Sequence, residues 1–194
     1  MPRLFIISGC NGAGKTTASK TIMPGMLEGC EFVNADIIAK ELCPEAPEKV
    51  AITAGRKMIV RIQQLLELSQ DFAIETTLAA RTYINLIRQA HDKGYTVTLI
   101  YFWLNMPSLA VERVRLRVAS GGHNITEANI RRRYDQGIKN LFHIFIPESD
   151  YWLIIDNSNV PPQIICEGGL DVITKIHNKT LFNQLVNYER TRIS

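Results

Sequence analysis

The sequence predicts an α/β protein in which helices cover both faces of a parallel sheet of five strands. Short apolar runs alternate along the chain with longer segments whose apolar residues recur at helical spacing. A glycine-rich loop joins the first apolar run to the first helical segment, and three later runs end in polar residues. Because ligands collect at the carboxyl edge of such a sheet, these polar ends are the first candidates for a functional site.

The first strand is predicted at residues 4–7 and leads into a phosphate-binding loop, or P-loop, with the pattern G-x-x-x-x-G-K-[ST]. Its glycines let the backbone point successive N–H groups at one anion. A helix predicted from about Lys15 towards Thr21, and ended by Pro24, adds its positive end at the same point. The predicted nucleotide-binding residues are Gly9, Asn11, Gly12, Ala13, Gly14, Lys15, Thr16 and Thr17.

The P-loop pattern gives a role to two of these side chains. Lys15, expected as a solvated cation, can reach the β- and γ-phosphates of a nucleoside triphosphate, and the Thr16 hydroxyl is the expected ligand of Mg²⁺. The alternative is a glycine-rich turn followed by a surface lysine. The position of the loop between a predicted strand and a predicted helix favours the phosphate site.

Two further strands are predicted to end in carboxylates. The strand at residues 30–34 is expected to flank the first one, which places Asp36 near the phosphates. The alternative role for Asp36 is to cap the helix that follows. The strand at residues 71–77 ends in Glu75 and two threonines, which is again typical of a site. Here the alternative is a threonine cap on the next helix, with Glu75 in solvent.

The rest of the chain completes the alternation of strands and helices. The run at residues 95–104 is the most continuous apolar stretch and is predicted at the centre of the sheet. Helices are predicted over residues 107–120 and 126–145. A fifth strand at residues 151–155 precedes a small hairpin around Gly168 and a final amphipathic helix.

Arginines are concentrated in the two helices after the fourth strand. Arg113 and Arg117 are neighbours on the first helix, and Arg131-Arg132-Arg133 stands in the first turns of the second, where the helix dipole disfavours cations. An anionic partner explains this cluster, and a solvated face is the alternative. Phosphoryl transfer needs cations over the transferred group, so we predict a single kinase domain over residues 1–194 with a lid at about 108–135.

Composition narrows the class of protein. A chain of 194 residues with 46% hydrophobic and 21% charged residues is expected to be a soluble globular protein. The 22 basic and 19 acidic residues leave a net charge of +3, which by itself indicates neither nucleic acid nor a membrane as partner. No apolar run approaches the ~18 residues of a membrane span. The four cysteines lack metal-type spacing and indicate reduced thiols in a cytoplasmic protein, with Cys10 as a buried filler rather than an oxidation sensor.

Seven motifs, in order along nearly the whole chain, resemble those of the zeta-toxin-like P-loop kinases. They are Gly9 to Thr17, Asn34-Ala35-Asp36, Glu75-Thr76-Thr77-Leu78-Ala79, Arg113-Val114-x-x-Arg117-Val118, Gly121-Gly122-His123, Ile130-x-Arg132-Arg133-Tyr134 and Asp156-Asn157-Ser158. The resemblance implies an adenylate-kinase-like fold, ATP and Mg²⁺ as cofactors, and transfer of the γ-phosphoryl group to a hydroxyl group of a small molecule.

The resemblance also implies roles for individual residues. Lys15 and Thr16 correspond to the phosphate and metal contacts, and Asp36 corresponds to the catalytic base. Glu75, with Thr76 beside it, corresponds to a substrate contact.

Arginines on the γ-phosphate are implied at Arg117 and at either Arg132 or Arg133. In the toxin members the acceptor is the 3′-hydroxyl of UDP-N-acetylglucosamine, and an antitoxin protein is a partner. This chain is shorter than the larger members, so its acceptor and any antitoxin stay open. Two other functions stay open as well: a regulatory P-loop ATPase that acts through a protein partner, and a polynucleotide kinase, which would bind nucleic acid in a salt-dependent manner.

Overall fold

A computed structural model describes residues 1–17, 25–122 and 124–193 of the chain. Seven strands form one sheet in the order β2-β3-β1-β4-β5-β6-β7. The strands are β1 (Arg3–Ser8), β2 (Glu31–Val33), β3 (Phe72–Thr76), β4 (Thr96–Trp103), β5 (Tyr151–Asp156), β6 (Gln163–Gly169) and β7 (Val172–Ile176). The first five run parallel, and the β6–β7 hairpin adds two antiparallel strands at one edge. The α/β class, the central position of β4 and the hairpin are confirmed.

The order of the strands corrects one expectation. β2 does not flank β1, because β3 lies between them and pairs with both. The burial of the two strands explains this order: Phe72, Ala73 and Ile74 of β3 are all buried, whereas β2 has three residues and begins with the exposed Glu31. A strand that is apolar on both faces fits the interior of a parallel sheet, and a short one with a charged end fits its edge.

In the described part of the chain, six helices follow the P-loop segment at residues 15–17. They are α1 (Ala35–Leu42), α2 (Ala51–Glu67), α3 (Tyr83–Asp92), α4 (Pro107–Ala119), α5 (Glu127–Asn140) and α6 (Lys179–Ile193), with a 3₁₀ turn at Pro47–Val50 and a π-helical turn at Leu141–Phe145. Residues 15–17 are helical as predicted, but the other residues of the predicted segment, with Thr21 and Pro24, lie outside the described residues, as does His123. None of the described helices combines the length and the hydropathy that a membrane crossing requires.

The strand that leads into the P-loop, β1, lies in the buried interior of the sheet. Five of the six residues of β1 are buried, so this strand is covered on both faces. β1 lies between β3 and β4 in parallel register, and the Ser8 hydroxyl at its end donates to the carbonyl oxygen of Ile100 at 2.9 Å. The loop after β1 therefore leaves the sheet beside the polar ends of β3 and β4, as expected for a ligand site in an open α/β sheet.

Candidate functional site

The P-loop is held in its shape by close backbone contacts. Gly9 has a φ of +138° and Gly12 a φ of +82°, a conformation that residues with side chains rarely adopt. A Cβ at Gly9 would lie 2.3 Å from the carbonyl oxygen of Phe102, and one at Gly12 would lie 2.7 Å from that of Ala110. The loop is thus packed between the end of β4 and the first turn of α4, which explains why both positions require glycine.

Lys15 is buried rather than solvated, which corrects the expectation from sequence. Its side chain is 7% exposed, and its ammonium group donates to the carbonyl oxygens of Gly9 at 2.9 Å and Cys10 at 3.1 Å. The same nitrogen lies 3.7 Å from a carboxylate oxygen of Glu75. The cation is therefore already positioned inside the loop that it would share with a phosphate. Removing it takes a buried donor away from the Gly9 carbonyl oxygen, whereas the Cys10 carbonyl oxygen keeps the hydrogen bond from the Ala13 amide at 3.2 Å.

The Glu75 carboxylate connects the P-loop to the start of α1. Its Oε2 accepts hydrogen bonds from the Thr16 hydroxyl at 2.7 Å and from the Asn34 side-chain amide at 3.0 Å. Because this side chain is 14% exposed, the alternative of a solvated Glu75 is wrong. The threonine cap is wrong too, since the Thr76 hydroxyl accepts from the amide of Leu78 and α3 begins only at Tyr83.

Asn34, and not Asp36, caps α1. The Asn34 side-chain oxygen accepts a hydrogen bond from the backbone amide of Asp36 at 2.7 Å, so the capping role proposed as the alternative for Asp36 belongs to its neighbour. Asp36 lies in the first turn of the helix, and its exposed side chain faces the same cleft as Lys15. Asn34 was not predicted as a site residue, and its only signal in the sequence is its place in the Asn-Ala-Asp motif after β2.

One cleft of about 430 Å³ brings half of the predicted site residues together. Its lining includes Asn11, Lys15, Asn34, Asp36, Met58, Glu75, Thr76, Thr77, Tyr83, Arg132 and Arg133. The cleft thus combines five charged groups (one lysine, two carboxylates and two arginines) with the apolar surfaces of Met58 and Tyr83. Burial raises the pKa of the Tyr83 hydroxyl, and its hydrogen bond with Thr76 partly offsets this rise. The charged groups of this cleft suit a phosphate, and its apolar surfaces and carboxylates suit a hydroxyl compound bound beside that phosphate.

The three consecutive arginines of α5 have different surroundings. Arg131 is exposed and pairs with Glu127, its neighbour at i−4, at 2.9 Å. Arg132 and Arg133 both line the cleft, and Arg133 donates to the side-chain oxygen of Asn11 in the P-loop at 3.1 Å. Of the expected phosphate-binding arginines, Arg117 lies in the last turn of α4 with an exposed side chain and is not among the described residues that line the cleft.

Arg113 and Asn157 form a link that the sequence analysis did not foresee. The Arg113 guanidinium donates to the carbonyl oxygens of Asn157 and Ser158, each at 2.8 Å. The Asn157 side-chain amide donates in turn to the carbonyl oxygen of Ala13 at 2.7 Å. Arg113 therefore fixes the loop after β5 against the P-loop, and the polar motif after that strand was the signal for it.

The comparisons with known proteins agree with this geometry. The family model of the Zeta toxin matches residues 1–141. The chain belongs to the Zeta toxin family. The resemblance seen in the motifs of the sequence is therefore confirmed.

One protein is similar to this Zeta toxin family member in sequence, and two solved structures are similar to it in fold. A protein of uncharacterised function from Haemophilus influenzae is 31% identical over 126 residues, which are 65% of this chain and 88% of that protein. The complex of AvrRxo1-ORF1 and AvrRxo1-ORF2 with ATP matches with a TM-score of 0.75 and 16% identity, over 95% of this chain. The PezAT toxin–antitoxin system of Streptococcus pneumoniae matches with a TM-score of 0.66 and 17% identity, over 98% of this chain and 85% of that one.

These solved structures show that the fold is shared. The present chain spans 63% of the length of the matched chain in the AvrRxo1 complex. The part of this family member after residue 141 lies beyond the family match, and it contains β5, the β6–β7 hairpin and α6.

The oxygen ligands around Thr16 fit Mg²⁺. A hydroxyl group and a carboxylate meet here, and Mg²⁺ in nucleotide sites is bound by few protein oxygens together with phosphates and water. Among the described residues, no cluster of three or more His, Cys, Asp or Glu side chains could hold a metal ion without a nucleotide. Thr16, held by Glu75, is the residue that would contact the ion.

Cys10 is a buried side chain, as expected. Burial raises the pKa of its thiol to about 12, although the nearby Lys15 ammonium acts in the opposite direction. The reactive form of a cysteine is the thiolate, so this protonated thiol is a poor target for oxidants at neutral pH. Cys10 is therefore a packing residue of the P-loop.

Glu75→Gln tests whether this carboxylate serves the acceptor or the metal. We expect the KM for the acceptor to rise about tenfold, the effect of losing one charge-assisted hydrogen bond, and the KM for ATP to rise less. Steady-state kinetics with each substrate varied in turn measures both values. An equal rise in both constants, together with a higher requirement for Mg²⁺, would assign Glu75 to the metal through Thr16. Thermal melting of the variant checks that the link to Asn34 is kept.

Proposed function

We propose that this protein is an ATP-dependent kinase that transfers the γ-phosphoryl group of ATP to a hydroxyl group of a small molecule. The observation that carries the proposal is the composition of one cleft: Lys15, Asp36, Glu75, Arg132 and Arg133 all line it. Phosphoryl transfer depends on positioning and on neutralising charge at the transferred group, and this set of side chains can do both. Membership of the Zeta toxin family supports the same activity.

ATP binds with its phosphates in the P-loop in this proposal. The loop amides and the Lys15 ammonium would hold the β- and γ-phosphates, and Arg133, which contacts Asn11 and lines the same cleft, would add a second cation. Thr16 would hold Mg²⁺, which neutralises charge between the β- and γ-phosphates when it is bound. The AvrRxo1 complex that was solved with ATP supports a nucleotide site on this fold.

Asp36 is the proposed base for the acceptor hydroxyl. Its backbone amide donates a hydrogen bond to the Asn34 side chain, and the Asn34 side-chain amide donates to Glu75. The Asp36 carboxylate is therefore carried by a first helical turn that hydrogen bonds hold in place. The acceptor would lie against Met58 and Tyr83 with one hydroxyl facing the γ-phosphate. Asp36 can accept the hydroxyl proton as the oxygen attacks phosphorus, and the phosphoryl group leaves ADP in the same step.

The acceptor that we propose to test first is a sugar nucleotide, with UDP-N-acetylglucosamine as the representative. Purified protein is incubated with [γ-³²P]ATP, Mg²⁺ and a panel of sugars, sugar nucleotides, nucleosides and hydroxy acids. Label on one acceptor supports the proposal, and the Lys15→Ala protein is the control for contaminating kinases. If the label appears only as inorganic phosphate, and a protein partner increases its release, the protein is instead a regulatory ATPase.

An antitoxin protein is the proposed macromolecular partner. The support is family membership, together with the PezAT toxin–antitoxin system among the similar structures. Co-expression with the product of the neighbouring gene, followed by co-purification and an assay for inhibition of ATP turnover, tests this proposal.

Arg132→Ala and Arg133→Ala are each expected to lower kcat by about 10²–10³-fold, somewhat less than the loss of a catalytic arginine finger. Both residues face the cleft, where they meet charge that develops on the transferred group, so the dissociation constant for ATP should change much less than kcat. Arg131→Ala is the matched control, because this arginine pairs with Glu127 on the exposed side of α5. Equal losses in binding and turnover would make the two arginines ground-state contacts.

A further inference from the structure

The C-terminal helix α6 contacts the helix that carries the arginines through one tyrosine. The Tyr188 hydroxyl donates to the carboxylate of Asp135 on α5 at 2.6 Å. The ring of Tyr188 packs edge-on against Tyr134, with the ring centroids 5.3 Å apart at an interplanar angle of 76°. Tyr188 therefore touches two consecutive residues of α5 that come directly after Arg132 and Arg133.

Further contacts fix α5 and α6 in place around this tyrosine. Tyr134 is buried, and its hydroxyl donates to the carbonyl oxygen of Leu104, just after β4, at 2.5 Å. On α6, Leu185 is fully buried and Glu189 accepts from the His143 ring at 2.6 Å. These contacts hold α6 against α5, and α6 lies beyond the part of the chain that the family model matches.

The Asp135 carboxylate is a competitor for Arg132. Residues three apart on a helix are surface neighbours, and an aspartate and an arginine at this spacing attract each other. If Asp135 had no other partner, it could draw the Arg132 guanidinium along α5 and out of the cleft. The hydrogen bond from Tyr188 holds Oδ1 of this carboxylate towards α6, so that pairing with the Arg132 guanidinium has to compete with this bond.

We propose that Tyr188 is a positioning residue for phosphoryl transfer, because its bond to Asp135 keeps Arg132 directed into the cleft. This inference rests on the proposed kinase function. In this proposal α6, which lies outside the region matched by the family model, helps to position the arginines of α5.

Tyr188→Phe is the first test, since it removes the hydroxyl and keeps the ring on Tyr134. We expect kcat for phosphoryl transfer from ATP to fall about tenfold, with the KM for ATP changed by less than about twofold. Tyr95→Phe is the matched control: the single hydroxyl proton of Tyr95 is shared between the carbonyl oxygens of Leu65 and Gln70, away from α5. That variant should lose stability and keep its kcat.

The rescue experiment separates positioning from a general loss of structure. Asp135→Asn removes the charge that attracts Arg132, so the double variant Tyr188→Phe/Asp135→Asn should recover kcat to within about twofold of wild type. A merely structural role for Tyr188 predicts a double variant that is as slow as the single one or slower. That result would overturn the proposal, as would a Tyr188→Phe protein with the kcat of wild type.

Hydrogen exchange of the α5 amides distinguishes a failure of this proposal from a failure of the proposed function. Exchange over residues 127–140 should become faster in Tyr188→Phe than in Tyr95→Phe, whether or not an acceptor is known. Faster exchange in a protein that transfers no phosphate would reject the kinase function and keep the contact between α6 and α5. Unchanged exchange would reject the positioning role directly.

Discussion

The Asp36→Asn protein is expected to bind ATP normally and to transfer phosphate about 10²–10⁴-fold more slowly than wild type. Asparagine keeps the size of the side chain but cannot take up the acceptor proton. The structure adds a reason to expect an unchanged fold, because the cap of α1 is provided by Asn34 and not by residue 36. A loose transition state depends less on a base, so a loss near the lower end of this range is the expected one.

Single-turnover transfer from [γ-³²P]ATP to the identified acceptor measures this effect, with ATP affinity and thermal melting measured on the same sample. Asp92→Asn is the matched control, since it removes an exposed carboxylate at the far end of α3. An Asp36→Asn enzyme that transfers phosphate at nearly the rate of wild type would rule out the base assignment.

Lys15→Ala is expected to weaken ATP binding by about a hundredfold or more, because the ammonium group gives up charge-assisted bonds to phosphate that are each worth about 1.5–3 kcal/mol. The structure changes the expectation for stability. The side chain is 7% exposed and donates to the carbonyl oxygens of Gly9 and Cys10, so its loss removes a buried donor from both, although the Cys10 oxygen keeps its bond from the Ala13 amide. We therefore also expect a lower Tm, from a loss of about 1–3 kcal/mol of unfolding free energy.

Calorimetric titration with ATP and thermal melting, both with Mg²⁺ present, measure the two effects of Lys15→Ala. Lys40→Ala, in the exposed last turn of α1, is the control for the loss of one positive charge. Unchanged ATP affinity in Lys15→Ala would remove the P-loop from the proposed site. An unchanged Tm would mean that water replaces the lysine at the two carbonyl oxygens.

The sequence by itself determined the local elements and the phosphate loop. Apolar periodicity predicted the strands and the helices, because each pattern reports which face of one segment is buried, and Gly168 indicated the hairpin. The P-loop was evident because its glycines and its lysine are adjacent in the chain. The Zeta toxin resemblance came from short motifs of the same local kind.

Only the tertiary structure decided which elements meet. The position of β3 between β1 and β2 depends on the burial of whole strand faces, which no single segment reveals. The bond from Thr16 to Glu75 joins residues 59 positions apart, and the bond from Tyr188 to Asp135 joins residues 53 positions apart. The same holds for the contact of Arg113 with the carbonyl oxygen of Asn157, which lies 44 positions away. A sequence motif identifies the charged residue, but contacts between distant segments of the chain determine which group it pairs with. That pairing determines whether the charge is exposed to solvent, lines the cleft or stabilises the loops around the cleft.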